Sequence, residues 1–323
     1  MTNKHYTKFL IRSISLFCWV FLCFPNLIFS QENPVLLKVQ LDVERPGINE
    51  FTETMDWLEL KMRFYGYPLE SFEISRKENT IELSCPPSAN ISKLQDALAQ
   101  KEGFGIAAVH KFDDKTTMTS LFEALSAGRL KDAQQRTVKL ESIFDLNTTT
   151  IEGYDFRRFP PAVIGMAAAQ HIESINQFLA KAEIQALLPA NSRFLWAEKP
   201  SALFSGKYDL YLIQTQAEGL LAPLVAASTN VYKKANRYNR VRDLIDIELS
   251  ENEFEAMETL STANINRELL IIFDGKALSA PLVQGPIRDG KLTIEGLFEG
   301  SEAIALGNLL RTSPPPFGWK VSP

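Results

Sequence analysis

The sequence is poor in the residues on which most enzyme and metal chemistry depends. It holds three cysteines and three histidines among 323 residues. His110 and His171 lie far apart, and neither has a partner at the spacing of a metal site. P-loop, GxSxG and GxGxxG motifs are missing as well. The sequence therefore predicts no catalytic residue, no cofactor-binding residue and no metal ligand. A hydrolase would need a polar pocket with convergent titratable residues, because no nucleophile–base motif is present.

The first thirty residues, 1–30, have the layout of a secretory signal peptide. Lys4, Lys8 and Arg12 precede an apolar stretch, and the stretch ends at Ser30, where cleavage is expected. The alternative is an uncleaved anchor, because the apolar run approaches the roughly 17 residues of the shortest membrane helices. No second run of this length follows. We therefore expect a periplasmic protein, or one held at the inner membrane by its N-terminal helix alone.

The cysteine content and the net charge limit the thiol chemistry and the kinds of ligand that we expect of this chain. Cys18 and Cys23 lie in the signal segment, so Cys85 is left alone and is expected to be a buried, unreactive residue. Loss of the three basic residues of the segment takes the formal net charge from −5 to −8. An acidic chain of this kind is not expected to bind nucleic acid.

Residues 34–112 alternate between strand and helix patterns. A half-buried strand around Leu37 is followed by a helix that ends at Gly66, a polar hairpin, and a second helix with Asn90 as its N-cap. A last strand is expected at Ile106–Val109. The order β-α-β-β-α-β predicts a ferredoxin-like domain.

The rest of the chain divides into four parts. Residues 113–160 read as a polar connector with helices at Thr117–Ser126 and Lys131–Phe144, and residues 161–204 as an α/β linking segment. Residues 205–312 form a second α+β domain, and residues 313–323 a Pro-rich tail. In the second domain, Arg242–Leu249 is expected to be a strand and Ser250–Glu253 a capping box before a helix.

The end of the second domain has an unusually specific order of strands and turns. The buried strand Leu269–Phe273 leads into a tight Asp-Gly turn, a strand stopped by proline, a second turn at a glycine, another strand, and a helix at Ser301–Leu310. This block resembles the head of the first periplasmic domain of SecD and SecDF, the accessory subunits of the bacterial protein-secretion machinery. The residues that match the family pattern are Asp274, Gly275, Ser279, Ala280, Pro281, Gly290, Ile294, Gly296 and Phe298.

The resemblance implies a fold and a cellular machine rather than a reaction. It implies an α+β protein with a ferredoxin-like base followed by a SecD-head-like domain. It also implies a non-catalytic module that binds unfolded polypeptide or a protein partner, with components of the Sec translocon as possible partners. The alternative is a structural adaptor that docks on the secretion channel or on another envelope complex. Strand addition to an exposed sheet edge would serve either role.

A basic and aromatic run from Tyr232 to Arg242 stands out in this acidic sequence. It could face an anionic partner, although charge runs are commonly solvated loops or hairpins. The residues that would make such contacts are Lys233, Lys234, Arg237, Arg240 and Arg242.

Overall fold

The structure, a computed structural model, has mixed α and β architecture. It describes residues 35–42, 47–67, 72–86, 89–100, 102–110, 115–132, 134–147, 162–201, 204, 206–235, 241–295, 298, 300–315 and 319–322. The proposed signal peptide, residues 1–30, lies outside these residues. Within them are seven α-helices and seventeen strands, so the predicted α+β class is confirmed.

The helices are α1 (Ile48–Phe64), α2 (Ile91–Ala99), α3 (Lys115–Ala127), α4 (Ala169–Leu179), α5 (Ala182–Gln185), α6 (Phe254–Ala263) and α7 (Ser301–Leu310). The first nine strands are β1 (Val35–Leu41), β2 (Glu73–Lys77), β3 (Thr80–Cys85), β4 (Phe104–Ala108), β5 (Arg129–Lys131), β6 (Thr137–Lys139), β7 (Asp145–Leu146), β8 (Val163–Ala168) and β9 (Ser192–Trp196). The others are β10 (Lys207–Gln214), β11 (Leu220–Leu224), β12 (Ala226–Ala235), β13 (Val241–Leu249), β14 (Leu269–Phe273), β15 (Lys276–Ser279), β16 (Lys291–Glu295) and β17 (Trp319–Ser322). No helix in the described part of the chain is both long enough and apolar enough to cross a membrane.

The N-terminal sheet has the strand order β17-β1-β3-β2, with every neighbouring pair antiparallel. Its inner face is apolar and packs under α1 and α2, with Leu37, Val39 and Ile81 fully buried. Asn90 caps α2 as predicted, since its side chain accepts a hydrogen bond from the Lys93 amide at 3.0 Å. We call this sheet and its two helices the base.

The fourth strand of the base is not the predicted one. Ile106–Val109 was expected there, but β4 pairs with β11 and β14 in another sheet. The burial patterns give the reason: β4 is buried at all five positions, which suits a strand covered on both faces. β17 is buried only at Trp319, which suits the edge of a half-exposed sheet. The predicted tail, 313–323, therefore contains a strand of the base.

Trp319 anchors this returning strand. The residue is 3% exposed, and its ring packs edge-on against that of Trp57 of α1, with the ring centroids 5.3 Å apart. Its indole N–H donates to the Leu98 carbonyl of α2 at 2.8 Å. Both helices of the base therefore hold the C-terminal strand.

The second helix predicted in the connector, at Lys131–Phe144, is wrong. This segment forms the hairpin β5–β6 and a 3₁₀ turn at Leu140–Ser142. The Asp132 carboxylate accepts from the amides of Gln134 and Arg136 at 3.0 and 2.9 Å, which closes the hairpin instead of continuing the chain as a helix. The first predicted helix is confirmed as α3.

Two further sheets, which we call the middle sheets, are built from strands that lie between residues 104 and 279, in the orders β7-β8-β10-β9 and β11-β4-β14-β15. Single bridges join them, from Val109 to Ile213 and from Ala197 to Ala277. Residues of both sheets share one apolar cluster, which includes Leu195, Tyr211 and Leu270. The middle sheets thus connect the base to the last unit of the chain.

The last unit holds the three-stranded sheet β12-β13-β16, which we call the head sheet. Its inner face packs on α7, and Ile245, Ile247 and Ile294 are buried there. The predicted bounds of β14 and α7 are confirmed to the residue. The capping box is not formed: Ser250 makes no side-chain cap, and the chain enters α6 through a 3₁₀ turn at Glu251–Glu253. How the chain divides into domains otherwise stays a prediction.

Candidate functional site

The predicted Asp274–Gly275 turn lies where the base meets the hairpin β14–β15. Both residues have positive φ, 49° and 70°, as a tight turn between two strands requires. The Asp274 amide donates to the Glu102 carbonyl at 2.7 Å, which ties the turn to the segment before β4. Asp274 itself is only 1% exposed.

A lysine that the sequence analysis did not single out is the partner of this aspartate. The Lys61 ammonium of α1 lies 2.6 Å from Asp274 Oδ2, and neither side chain is exposed. Lys61 also donates to the Gln100 carbonyl at 2.6 Å and lies 4.4 Å from the centre of the Trp57 ring. Asp274 Oδ1 has no hydrogen-bond partner in the described part of the chain. We call this pair and its surroundings the junction.

Burial dominates the electrostatics of the junction. It raises the pKa of Asp274 to about 6, although the Lys61 charge acts in the opposite direction. It lowers the pKa of Lys61 to about 8, although Asp274 favours the charged form. Burial likewise raises the pKa of Tyr65, whose hydroxyl donates to Asp274 at 3.4 Å. Each shift favours the neutral form of its group, so desolvation outweighs the attraction between the two charges in setting these pKa values.

The other residues of the family pattern lie in turns and packing positions. Gly290 has a φ of 62°, and a Cβ there would lie 2.4 Å from the Phe254 ring, so only glycine fits. Ile294 is fully buried in β16, and Phe298 packs against Phe64 of α1. The other pattern residues are Ser279 and Ala280 at the end of β15, Pro281, whose carbonyl accepts from Leu269, and Gly296, which lies outside the described residues.

The outer face of the head sheet is polar and open. Tyr232 and Thr293 both donate to Asp246 Oδ1, at 3.3 and 2.7 Å, and Ser228 donates to Glu248 at 3.1 Å. A groove of about 360 Å³ runs over this face. It is lined by Ser228, Asn230, Asp246, Ile247, Glu248, Lys291, Leu292 and Thr293.

The strand β12, which the sequence analysis did not predict, borders this face. It is ten residues long and pairs with β13 on one side only, within the described residues. Its side chains from Ala226 to Tyr232 carry no charge. The sequence signal for this strand was weak: Thr229, Val231 and Tyr232 favour strands, whereas Ala226, Ala227 and Asn230 do not.

The described residues of the basic run lie at one end of the β12–β13 pair. Lys233 and Lys234 are exposed at the end of β12, and Arg242 of β13 lies 3.7 Å from Glu295. Arg237 and Arg240 fall outside the described residues. The β12–β13 pair thus carries positive charge at the end that holds Lys233, Lys234 and Arg242, and carboxylates toward its other end.

Residues with catalytic or metal-binding potential are few. Cys85 is buried, as predicted, and burial raises the pKa of its thiol. No group of three or more His, Cys, Asp or Glu side chains in the described ranges could hold a metal ion. Ser192 Oγ lies 2.6 Å from His110 Nε2, a contact that the sequence did not indicate. We interpret it as a structural hydrogen bond between the end of β4 and the start of β9, away from the groove.

Comparison with known proteins finds a family match for the last unit. Residues 221–315 match the family model of the SecDF P1 head subdomain. This part of the chain is therefore similar to the SecDF P1 head subdomain. It contains strands β12 to β16 and helices α6 and α7, and therefore both the head sheet and the Asp274 turn.

Curated relatives agree with this assignment. The SecD protein translocase subunit of Sebaldella termitidis is 31% identical over 96 residues, which are 30% of this chain and 23% of that protein. SecD of Rhodothermus marinus is 25% identical over 155 residues, which are 48% of this chain and 24% of that protein. The chain is thus related to the SecD and SecDF translocation subunits, and these matches span about a quarter of the length of the relatives.

Among solved structures, the SecDF membrane component that enhances protein export is similar at 16% identity. The match covers 90% of this chain and 98% of that one, with a TM-score of 0.36.

Proposed function

We propose that this protein is a non-catalytic, periplasmic module that binds unfolded polypeptide during protein translocation. The observation that carries the proposal is the open polar face of the head sheet, within a subdomain related to a protein-translocation subunit. Ser228, Asn230 and Thr293 are exposed there. The hydroxyl oxygens of Ser228 and Thr293, whose protons are donated to carboxylates, offer acceptors, and the Asn230 amide offers both a donor and an acceptor. Such a face suits a ligand whose sequence varies, because main-chain groups are the same in every polypeptide.

Export by the signal segment at residues 1–30 places the module in the periplasm under this proposal. Components of the Sec translocon are then its natural protein partners. The remaining candidate function, an adaptor that docks on the secretion channel, predicts a different ligand: a folded partner and no unfolded chain.

The test is a titration by fluorescence anisotropy. A labelled model protein is held unfolded by reduction and by alkylation to a neutral product, and its native form is titrated in parallel. We expect saturable binding of the unfolded form only. Binding of neither form, or equal binding of both, would overturn the proposal, and capture of a folded channel component alone would favour the adaptor.

A matched pair of variants ties the binding to the face. Asn230→Glu adds a negative charge to the open face of the head sheet, whereas Gln40→Glu adds one at an exposed position of the base sheet. We expect the first variant to change the affinity for the unfolded protein and the second to leave it unchanged. The opposite pattern would move the site to the base.

A further inference from the structure

One edge of β12 is unpaired in the described part of the chain, and the polar outer face of the head sheet does not account for it. β12 pairs only with β13 in the described part of the chain, so one row of its amides and carbonyls has no ladder partner there. Natural proteins commonly protect such an edge with charges, proline or a short strand. β12 is ten residues long, and charge protects only its end, at Lys233 and Lys234.

The side chains beside this edge have opposite charges at its two ends. The register pairs Lys234 with Arg242 at the hairpin tip, and Ser228 with Glu248 at the other end. Arg242 and Glu248 lie an even number of residues apart in β13 and therefore share the outer face of the sheet. Lys234 of β12 lies on the same face because it pairs with Arg242 in the register. Lys234 appears in none of the ion pairs of the described residues, whereas Glu248 accepts from Ser228 at 3.1 Å and lies opposite Lys291 of β16 in the register.

We propose that an extended polypeptide segment adds to the free edge of β12 as a further antiparallel strand, with an acidic residue beside Lys234 and a basic residue beside Glu248. The inference rests on the proposed function and specifies where and in which direction the ligand lies. Both pairings of the head sheet are antiparallel, so antiparallel addition continues its pattern. The segment then carries its acidic residue toward its N-terminus and its basic residue toward its C-terminus.

The distances allow these contacts. Adjacent strands lie about 4.8 Å apart, so an added strand is about 10 Å from β13. A lysine or arginine on the added strand can therefore extend past Ser228 to the Glu248 carboxylate. Lys234 lies on β12 itself and is the direct neighbour of the added strand. The uncharged centre, Ala226–Tyr232, imposes no side-chain charge on the middle of the segment.

Two peptides of equal composition test the direction. One has an N-terminal Glu, a Thr- and Val-rich centre and a C-terminal Arg, and in the other the Glu and the Arg are exchanged. We expect the first to bind the full chain about three- to tenfold more tightly, as a pair of exposed ion contacts allows. Equal affinity of the two peptides would overturn the direction.

Reversing the charges of the protein sharpens the test. The double variant Lys234→Glu/Glu248→Lys should invert the preference between the two peptides and leave the summed charge of the protein unchanged. Lys320→Glu, at an exposed position of the base, should leave the preference as it is. An inverted preference supports the proposal, and an unchanged one contradicts it.

Strand addition also has a signature that does not depend on a protein variant. Methylating alternate backbone nitrogens of the peptide removes the donors on one of its edges. One of the two alternating methylation patterns should abolish binding and the other should be tolerated. If both patterns are tolerated, the peptide does not add as a strand. If the unfolded protein binds but none of these effects is observed, the proposed function is retained and this inference alone is contradicted.

Discussion

The junction and the outer face of the head sheet use the same kinds of charged residue in opposite surroundings. Lys61 and Asp274 are completely buried and bind each other, and burial drives both pKa values toward the neutral forms. On the head sheet, Lys234 is exposed, and the half-buried Asp246 accepts hydrogen bonds from the hydroxyl groups of Tyr232 and Thr293. The buried charges define how α1 meets the hairpin β14–β15, whereas the exposed charges remain available to a ligand.

The largest effects expected from this comparison follow from removing or reversing the charge of one partner of the junction. Lys61→Met leaves the Asp274 carboxylate buried without its counter-charge. We expect the free energy of unfolding to fall by about 3–5 kcal/mol, as is typical of a broken buried pair. Urea denaturation at pH 7 measures it. A loss below about 1 kcal/mol would mean that solvent reaches the pair.

Removing both partners should cost far less than removing one. In Lys61→Met/Asp274→Asn no charge is buried, so we expect a stability within about 1–2 kcal/mol of the wild type, or above it. Additive losses in the double-mutant cycle would contradict the view that desolvation dominates at the junction.

The same double variant tests the pH dependence. The pKa of Asp274 is raised in the folded state, so the folded state binds this proton more tightly than the unfolded state does. The wild type therefore loses stability from this group as the pH rises from about 4 to about 6. The double variant lacks the group, so its stability relative to the wild type should increase over that window. Parallel urea titrations at pH 4 and pH 7 measure the stability of the double variant relative to the wild type. A decrease in this relative stability between pH 4 and pH 7 would contradict a raised pKa of Asp274 in the folded state.

The turn that leads into β16 should be intermediate in sensitivity. Gly290→Ala introduces a Cβ against the Phe254 ring at a positive φ. We expect a loss of about 1–3 kcal/mol from backbone strain and crowding, read from thermal or urea unfolding. Gly206→Ala is the control for backbone strain alone, because its φ is also positive but its Cβ would meet no neighbouring atom. Equal losses of stability in the two variants would show that crowding against the Phe254 ring contributes nothing.

The smallest effect on stability is expected at the exposed lysine. Lys234→Glu should change the free energy of unfolding by less than about 0.5 kcal/mol, since the side chain is exposed and lies in no described ion pair. The matched reversal Lys61→Glu should prevent stable folding, because it opposes two buried carboxylates. Comparable stabilities for the two variants would contradict the difference that we infer between the junction and the outer face of the head sheet.

The sequence predicted elements better than it predicted their partners. Leu269–Phe273 and Ser301–Leu310 were identified to the residue, because apolar runs and Asp-Gly turns act locally. The pairing of β4 was wrong, because a run of buried residues shows that a strand is covered but not which strands flank it. Trp319 was assigned to a tail, because its partners in α1 and α2 are distant in sequence.

The candidate site was predictable to a similar degree. Asp274 was singled out through the family pattern, but Lys61 lies on a helix where a lysine ordinarily faces water, and only the folded chain brings the two together. The basic residues Lys233 and Lys234 were recognised, whereas the free edge of β12 depends on the absence of a neighbouring strand in the described sheet. No local pattern encodes that property.

Hydrogen exchange of the full chain with and without an unfolded polypeptide tests the central claim most directly. The account predicts that the amides of β12 between Ala226 and Tyr232 become protected on binding, while the amides around Lys61 and Asp274 keep their exchange rates. Protection confined to the base or to the middle sheets, with β12 unchanged, would contradict it.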